Sequence, residues 1–140
     1  MPDMKIVAFD TDNQPHIRAI RDAVFIREQQ IDPALEFDGQ DGSAIHVLVA
    51  VDGEYVGTGR MLDDGHIGRI AILQDYRSQG LGGRVVQALV DEAVRRGYPR
   101  VYLGAQIHAI GFYAKLGFTP FGEEFMAAGL PHLAMEKSLL

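Results

Sequence analysis

Residues 67–96 confine the fold of this chain more than any other stretch. The run Ile67-Gly68-Arg69-Ile70-Ala71-Ile72-Leu73 is mostly apolar and reads as a buried strand. From Arg84 to Arg96 the apolar residues Val85, Val86, Leu89, Val90, Ala93 and Val94 recur at helical spacing. Gly97 stands where a helix takes its left-handed final residue. Between strand and helix lies Gln74-Asp75-Tyr76-Arg77-Ser78-Gln79-Gly80-Leu81-Gly82-Gly83. Such a turn aims several main-chain N–H groups at one point, where the helix dipole adds partial positive charge. Gly80 and Gly82 permit close approach and positive φ, and Arg77 offers a guanidinium suited to paired phosphate oxygens. The expected occupant is a pyrophosphate.

The spacing narrows the choice of pyrophosphate. Gly83-Arg84 is not the Lys-Ser/Thr ending of a nucleotide-binding P-loop. Gly80-x-Gly82-x-x-Val85 lacks the third glycine of the dinucleotide fingerprint. No acidic residue closes a following strand at ribose distance, because the next strand begins near Val101. What remains is Arg77-x-x-Gly80-x-Gly82 after Arg69-Ile70-Ala71-Ile72. This resembles the coenzyme A loop of the GNAT (Gcn5-related) N-acetyltransferases. A glycine-rich strand–helix turn without a ligand is the alternative reading of the motif taken alone.

The 140 residues are enough for one domain, 1–140, with a real core. Cysteine is absent, which excludes disulfides, thiolate metal sites and a cysteine nucleophile. No Gly-x-Ser-x-Gly stands for an acyl-serine, and no metal-ligand motif occurs, so no metal is expected. Group transfer by this chain is therefore expected to run directly from donor to acceptor. There is no apolar run long enough for a bilayer and no leader pattern near Asp3, Lys5 and Asp10, so the expected location is the cytoplasm, with no membrane partner. A net charge of −6 argues against nucleic acid as a partner. Residues 1–66 hold 5 basic and 13 acidic side chains, a net of −8, whereas residues 67–140 hold 8 and 6, a net of +2. The acidic half suits attraction of a cationic amine, or plain solubility.

Taken in order, Lys5–Phe9 reads as a strand, and Pro15 opens a helix with apolar residues Ile17, Ile20, Val24 and Phe25. Residues 27–42 read as an acidic loop with a helical turn near Pro33. A three-strand meander follows: Ile45–Val51, the Asp52-Gly53 turn, Tyr55–Leu62, the Asp63-Asp64-Gly65 turn, and His66–Leu73. Val101–Ala105 is a strand, Ala109–Leu116 a helix stopped by Gly117, and Phe118–Phe121 and Leu133–Lys137 are two closing strands linked by Gly122–His132. This is an α/β (α+β) arrangement: a mixed, mainly antiparallel sheet of six to seven strands with helices on both faces.

The same element order is that of the GNAT fold, and the resemblance covers nearly the whole chain. Gly111-Phe112-Tyr113-Ala114-Lys115-Leu116-Gly117-Phe118 is similar to that family's late FYxxxGF segment. Phe25–Gln29, Glu36-x-Asp38-x-x-Asp41 and Gly129-Leu130-Pro131-His132-Leu133-x-Met135 look like a subgroup of small bacterial acetyltransferases.

The resemblance implies acetyl-CoA as co-substrate, bound by Arg77 and the amides of Ser78, Gln79, Gly80, Leu81, Gly82 and Gly83. It implies that Ile70, Ala71 and Ile72 lie on a strand splayed from Val101–Ala105, leaving amides for the acetyl oxygen and the pantetheine arm. Tyr113 would protonate the departing thiolate, as a phenol that stays protonated at neutral pH. Phe112 beside it reads chiefly as core, and both border the cofactor. Gln106 would replace a polar group that Gly104 cannot supply. For the base that deprotonates the amine, Glu28 comes first, with His132 and His108 as alternatives and ordered water as another route. His66, at a turn and strand start, reads as solvated. Glu36, Asp38 and Asp41 suggest an acidic rim for a cationic acceptor. The acceptor is a small-molecule or peptide amine, and a homodimer is possible in this family. The rival is a non-catalytic acyl-CoA binding or sensing domain.

Overall fold

In the computed structural model, which describes residues 2–140, the strands divide between two sheets. Strands β1 (Asp3–Val7), β2 (Ile45–Val51), β3 (Glu54–Met61) and β4 (Ile67–Ile72) form an antiparallel sheet in that order. Strands β5 (Arg100–Gln106), β6 (Thr119–Ala127) and β7 (Leu130–Ser138) form a second antiparallel sheet with β7 in the middle. The seven strands among the described residues lie within the expected range. Among the described residues four α-helices accompany them: α1 (Gln14–Arg21), α2 (Pro33–Glu36), α3 (Leu81–Arg95) and α4 (Ile110–Lys115). Among the described residues, no helix is long and apolar enough to cross a membrane.

Strand alternation explains why helices cover both faces. Val47 and Val49 of β2 are fully buried with Val85, Val86 and Leu89 of α3, whereas Leu48 between them packs with Ile17, Ile20 and Val24 on the other side. A Cβ added to Gly59 would lie 2.5 Å from Val85 Cγ1 and 2.8 Å from Ile70 Cδ1, so this glycine lets α3 settle directly on β3. The helix ends as expected. Gly97 is left-handed (φ 78), its N–H donates to the Val94 carbonyl, and the Tyr98 N–H donates to the Ala93 carbonyl.

The two sheets meet at one end only. A parallel bridge joins His66 to Tyr102. The Tyr102 N–H also donates to the Gly65 carbonyl at 3.0 Å, and a Cβ on Gly65 would lie 2.5 Å from the Arg100 carbonyl oxygen. Beyond this point β4 and β5 exchange no ladder among the described residues. The gap between them is a wedge.

The closing strands are longer than the sequence suggests. Gly122–His132, read as a link, instead continues both strands into a hairpin turned at Ala128 and Gly129, with φ of 51 and 77. A register shift between Pro120 and Glu124, with Gly122 at φ 119, breaks the alternation that would have revealed the strand. The helix from Pro15 also changes winding, running from α1 into a π-helical segment, Asp22–Glu28.

Candidate active site

The glycine-rich turn leaves β4 through a tight 3₁₀ turn at Gln74–Tyr76. Ser78 (φ 64) and Gly80 (φ 78) then adopt left-handed conformations, and the chain enters α3 at Leu81. Gly80 has no side chain to cap the helix, and the first α3 amide with a main-chain acceptor is that of Arg84, 3.2 Å from the Gly80 oxygen. The amides of Ser78 through Gly83 have no main-chain or capping acceptor among the described residues. Open amides at a helix N-terminus are an anion site in waiting. Ser78, Gly80, Leu81, Gly82 and Gly83 border a cleft of about 910 Å³, whereas Gln79 is exposed and stands outside its wall.

Arg77 borders the same cleft, but its guanidinium is already engaged. Nε donates to the Ile72 carbonyl at 2.8 Å, and Nη1 and Nη2 donate to the two Glu28 carboxylate oxygens at 2.6 and 2.7 Å. The hydrogen bonds from Arg77 hold the Glu28 carboxyl below its ordinary pKa, and Glu28 does not border the cleft. It is badly placed as a base. The pair joins the glycine-rich turn to the π-helical segment.

Inside the wedge, β4 turns an edge to the cleft. The Leu73 N–H donates to the Val56 carbonyl across β3, so alternation turns the Ile72 N–H the other way, toward the gap. Ile70 and Ile72 border the cleft, and the Ala71 side chain is buried on the opposite face beside α1. From β5 and the segment after it come Gly104, Gln106, His108 and Ala109. Gln106 lies opposite His132 of β7, whose Nδ1 is 2.8 Å from the Leu130 oxygen.

Tyr113 and Phe112 of α4 complete this end of the wall. The Tyr113 ring packs edge-on to Phe112 and Phe118, with centroids 5.0 and 6.0 Å away. Burial raises its pKa, so the phenol is held protonated. Its hydroxyl has no hydrogen-bond partner among the described residues and is not sealed from the cleft.

His66 is the residue that sequence reasoning misplaced. Rather than lying in solvent, it borders the cleft and stacks on Tyr102, 4.6 Å between centroids. Burial lowers its pKa below 6.5, so the imidazole is neutral at pH 7. The sequence signal for it was only its position at the head of the motif strand.

The expected acidic rim is not there, because each of its carboxylates is answered by an arginine. Arg21 donates to Glu36 and Asp41, both at 2.6 Å, and is itself 1% exposed. Arg60 reaches Asp38 at 2.9 Å and Asp41 at 3.1 Å. Arg69 reaches Glu36 and Asp38, both at 3.2 Å. Three cations and three carboxylates thus clamp the 33–43 segment to α1 and to the sheet, and the rim carries no net negative charge.

The chain has counterparts among known proteins. Residues 13–139 match the family described as Acetyltransferase (GNAT) domain. The uncharacterized N-acetyltransferase YjcF of Bacillus subtilis is 39% identical over 123 residues, 84% of this chain and 87% of that protein. Protein ElaA of Escherichia coli is 32% identical over 130 residues, 86% of this chain and 84% of its own length. The crystal structure of an acyl-CoA N-acyltransferase from Pseudomonas aeruginosa aligns with a TM-score of 0.88 at 28% identity, over 99% of this chain and 100% of that one.

Proposed function

The chain belongs to the GNAT acetyltransferase family and is an acyltransferase, and we propose that residues 1–140 act as one domain that moves an acetyl group from acetyl-CoA directly to a primary amine. The observation that carries this reading is the set of open amides at Ser78, Gly80, Leu81, Gly82 and Gly83, residues that border the same cleft as Tyr113 with its unpartnered hydroxyl. The amides and the α3 dipole receive the pyrophosphate. Arg77, anchored to Glu28 and to the Ile72 carbonyl, holds the turn in place beside the pyrophosphate, and the pantetheine arm lies along β4 within reach of the Ile70 and Ile72 main chain. The residues fit the ligand: Gln106 and Phe112 flank the path, and Gly82 and Gly83 leave it open.

In the transfer, the amine nitrogen bonds to the thioester carbon as the carbon–sulfur bond breaks. Main-chain N–H groups of β4 steady the carbonyl oxygen as it gains charge. The departing sulfur takes its proton from the Tyr113 hydroxyl. The amine's surplus proton passes to a neutral imidazole, for which His66 replaces Glu28 as first choice, directly or through water. A merely sensing domain has no use for a protonated phenol and a neutral imidazole in one wall.

Calorimetry with coenzyme A tests the foundation, and failure of a folded protein to bind it overturns the reading. Tyr113→Phe is expected to lower kcat about a hundredfold while leaving coenzyme A affinity and Tm unchanged, because the lost hydroxyl has no partner in the fold. An unchanged kcat removes Tyr113 from the chemistry. The base is read from pH. The His66 imidazole must be neutral to accept a proton, so kcat/KM rises with pH and levels off through a midpoint below 6.5, where burial holds this group. His66→Gln is expected to erase that limb. A profile that keeps it assigns the proton elsewhere.

A further inference from the structure

At the end of the cleft away from the glycine-rich turn, no carboxylate stands free to meet a cation among the described residues. Among the described residues that border the cleft, the only carboxylate is Glu36, which is buried and bonded to Arg21 and Arg69. Facing the cavity there are Arg69 of β4 and His132 of β7. Arg69 places Nε and Nη2 on the Leu35 and Glu36 carbonyls and on Asp38. Its Nη1 has no partner among the described residues, and its side chain is 26% exposed. The rest of this end is apolar, with Leu35 beside Arg69 and Leu130 and Phe125 across the gap. The Phe125 ring stacks on His132 and covers Gly104, where an added Cβ would lie 2.9 Å from the ring.

Resting on the transfer reading above, we infer that the acceptor is an amine on an apolar body that also carries a carboxylate. The carboxylate is seated by the spare N–H groups of Arg69, and the apolar body lies between Leu35 and Phe125. A polyamine or an aminoglycoside-like polycation finds no unpaired acid among the described residues that border this cleft, so the desolvation of its charges goes unanswered. A carboxylate meets a fixed guanidinium in a wall of low polarity, where a charge-assisted bond is strong.

The experiment uses L-phenylalanine, its neutral-ended amide and spermidine, each titrated by calorimetry into the coenzyme A-loaded protein and assayed for acetyl transfer. The acid is expected to bind and react about tenfold better than the amide, with spermidine inert. Arg69→Gln is expected to raise KM for the acid alone and leave kcat in place. Because Arg69 also clamps residues 35–38, Ala128→Asp is the second variant. Position 128 is exposed on the cleft rim at φ 51, a conformation that aspartate tolerates, and the new carboxylate is expected to abolish the preference for the acid. Preference for the amide or spermidine, no binding of the acid, or an unchanged preference in Ala128→Asp overturns this inference alone, provided coenzyme A itself binds. Absence of coenzyme A binding overturns the transfer reading and this one together.

Discussion

A Gly82→Leu protein is expected to fold normally and to bind coenzyme A about a thousandfold more weakly, measured by calorimetry. The fold tolerates the change because position 82 lies in the first turn of α3 with an ordinary helical φ, and leucine is the better helix former. The nearest atom to an added Cβ is the Phe112 ring at 3.8 Å, which is ordinary contact. The remaining leucine atoms then occupy the space in front of the Leu81, Gly82 and Gly83 amides, where the pyrophosphate is proposed to sit. Losing two charge-assisted bonds of about 2 kcal/mol each gives the stated factor. Equal affinity in parent and variant means that the anion binds elsewhere. A variant that unfolds means that the turn is structural rather than a docking surface.

Removing Arg21 is expected to do the opposite, damaging stability first. Arg21→Met leaves Glu36 and Asp41 buried without the guanidinium that holds both, and breaking a buried charge pair in this way costs about 3–5 kcal/mol. Urea unfolding measures this as a lower midpoint at unchanged slope. A loss below about 1 kcal/mol shows the network to be dispensable. The effect matters for function because Leu35 and Glu36, which this network fixes, form one wall of the cleft.

The contrast between these two sites shows what the sequence discloses. The strand–turn–helix unit around the glycine-rich turn was legible because its parts are contiguous: an apolar run, glycines and a helical stripe within thirty residues. The Asp52-Gly53 hairpin was legible for the same reason, and both residues take the positive φ that a two-residue turn demands (51 and 84). Glu36, Asp38 and Asp41 were misread because the arginines that neutralise them stand on α1, β3 and β4, up to 33 positions away, and no local pattern links them. Arg77 drew the expectation of a free phosphate ligand because its partner, Glu28, lies 49 positions upstream. His66 was passed over because a turn residue ordinarily faces water. Only the docking of Gly65 against β5 turns it inward.

That docking has one more consequence. With β4 and β5 joined at Gly65–His66 and parted beyond, the protein is a hydrogen-bonded surface with one row left vacant. A linear molecule bearing amides, laid in that row, would serve as a surrogate strand and would stitch the two sheets into one. The donor substrate would then be a structural part of the loaded enzyme, and its departure after each turnover would unzip the seam.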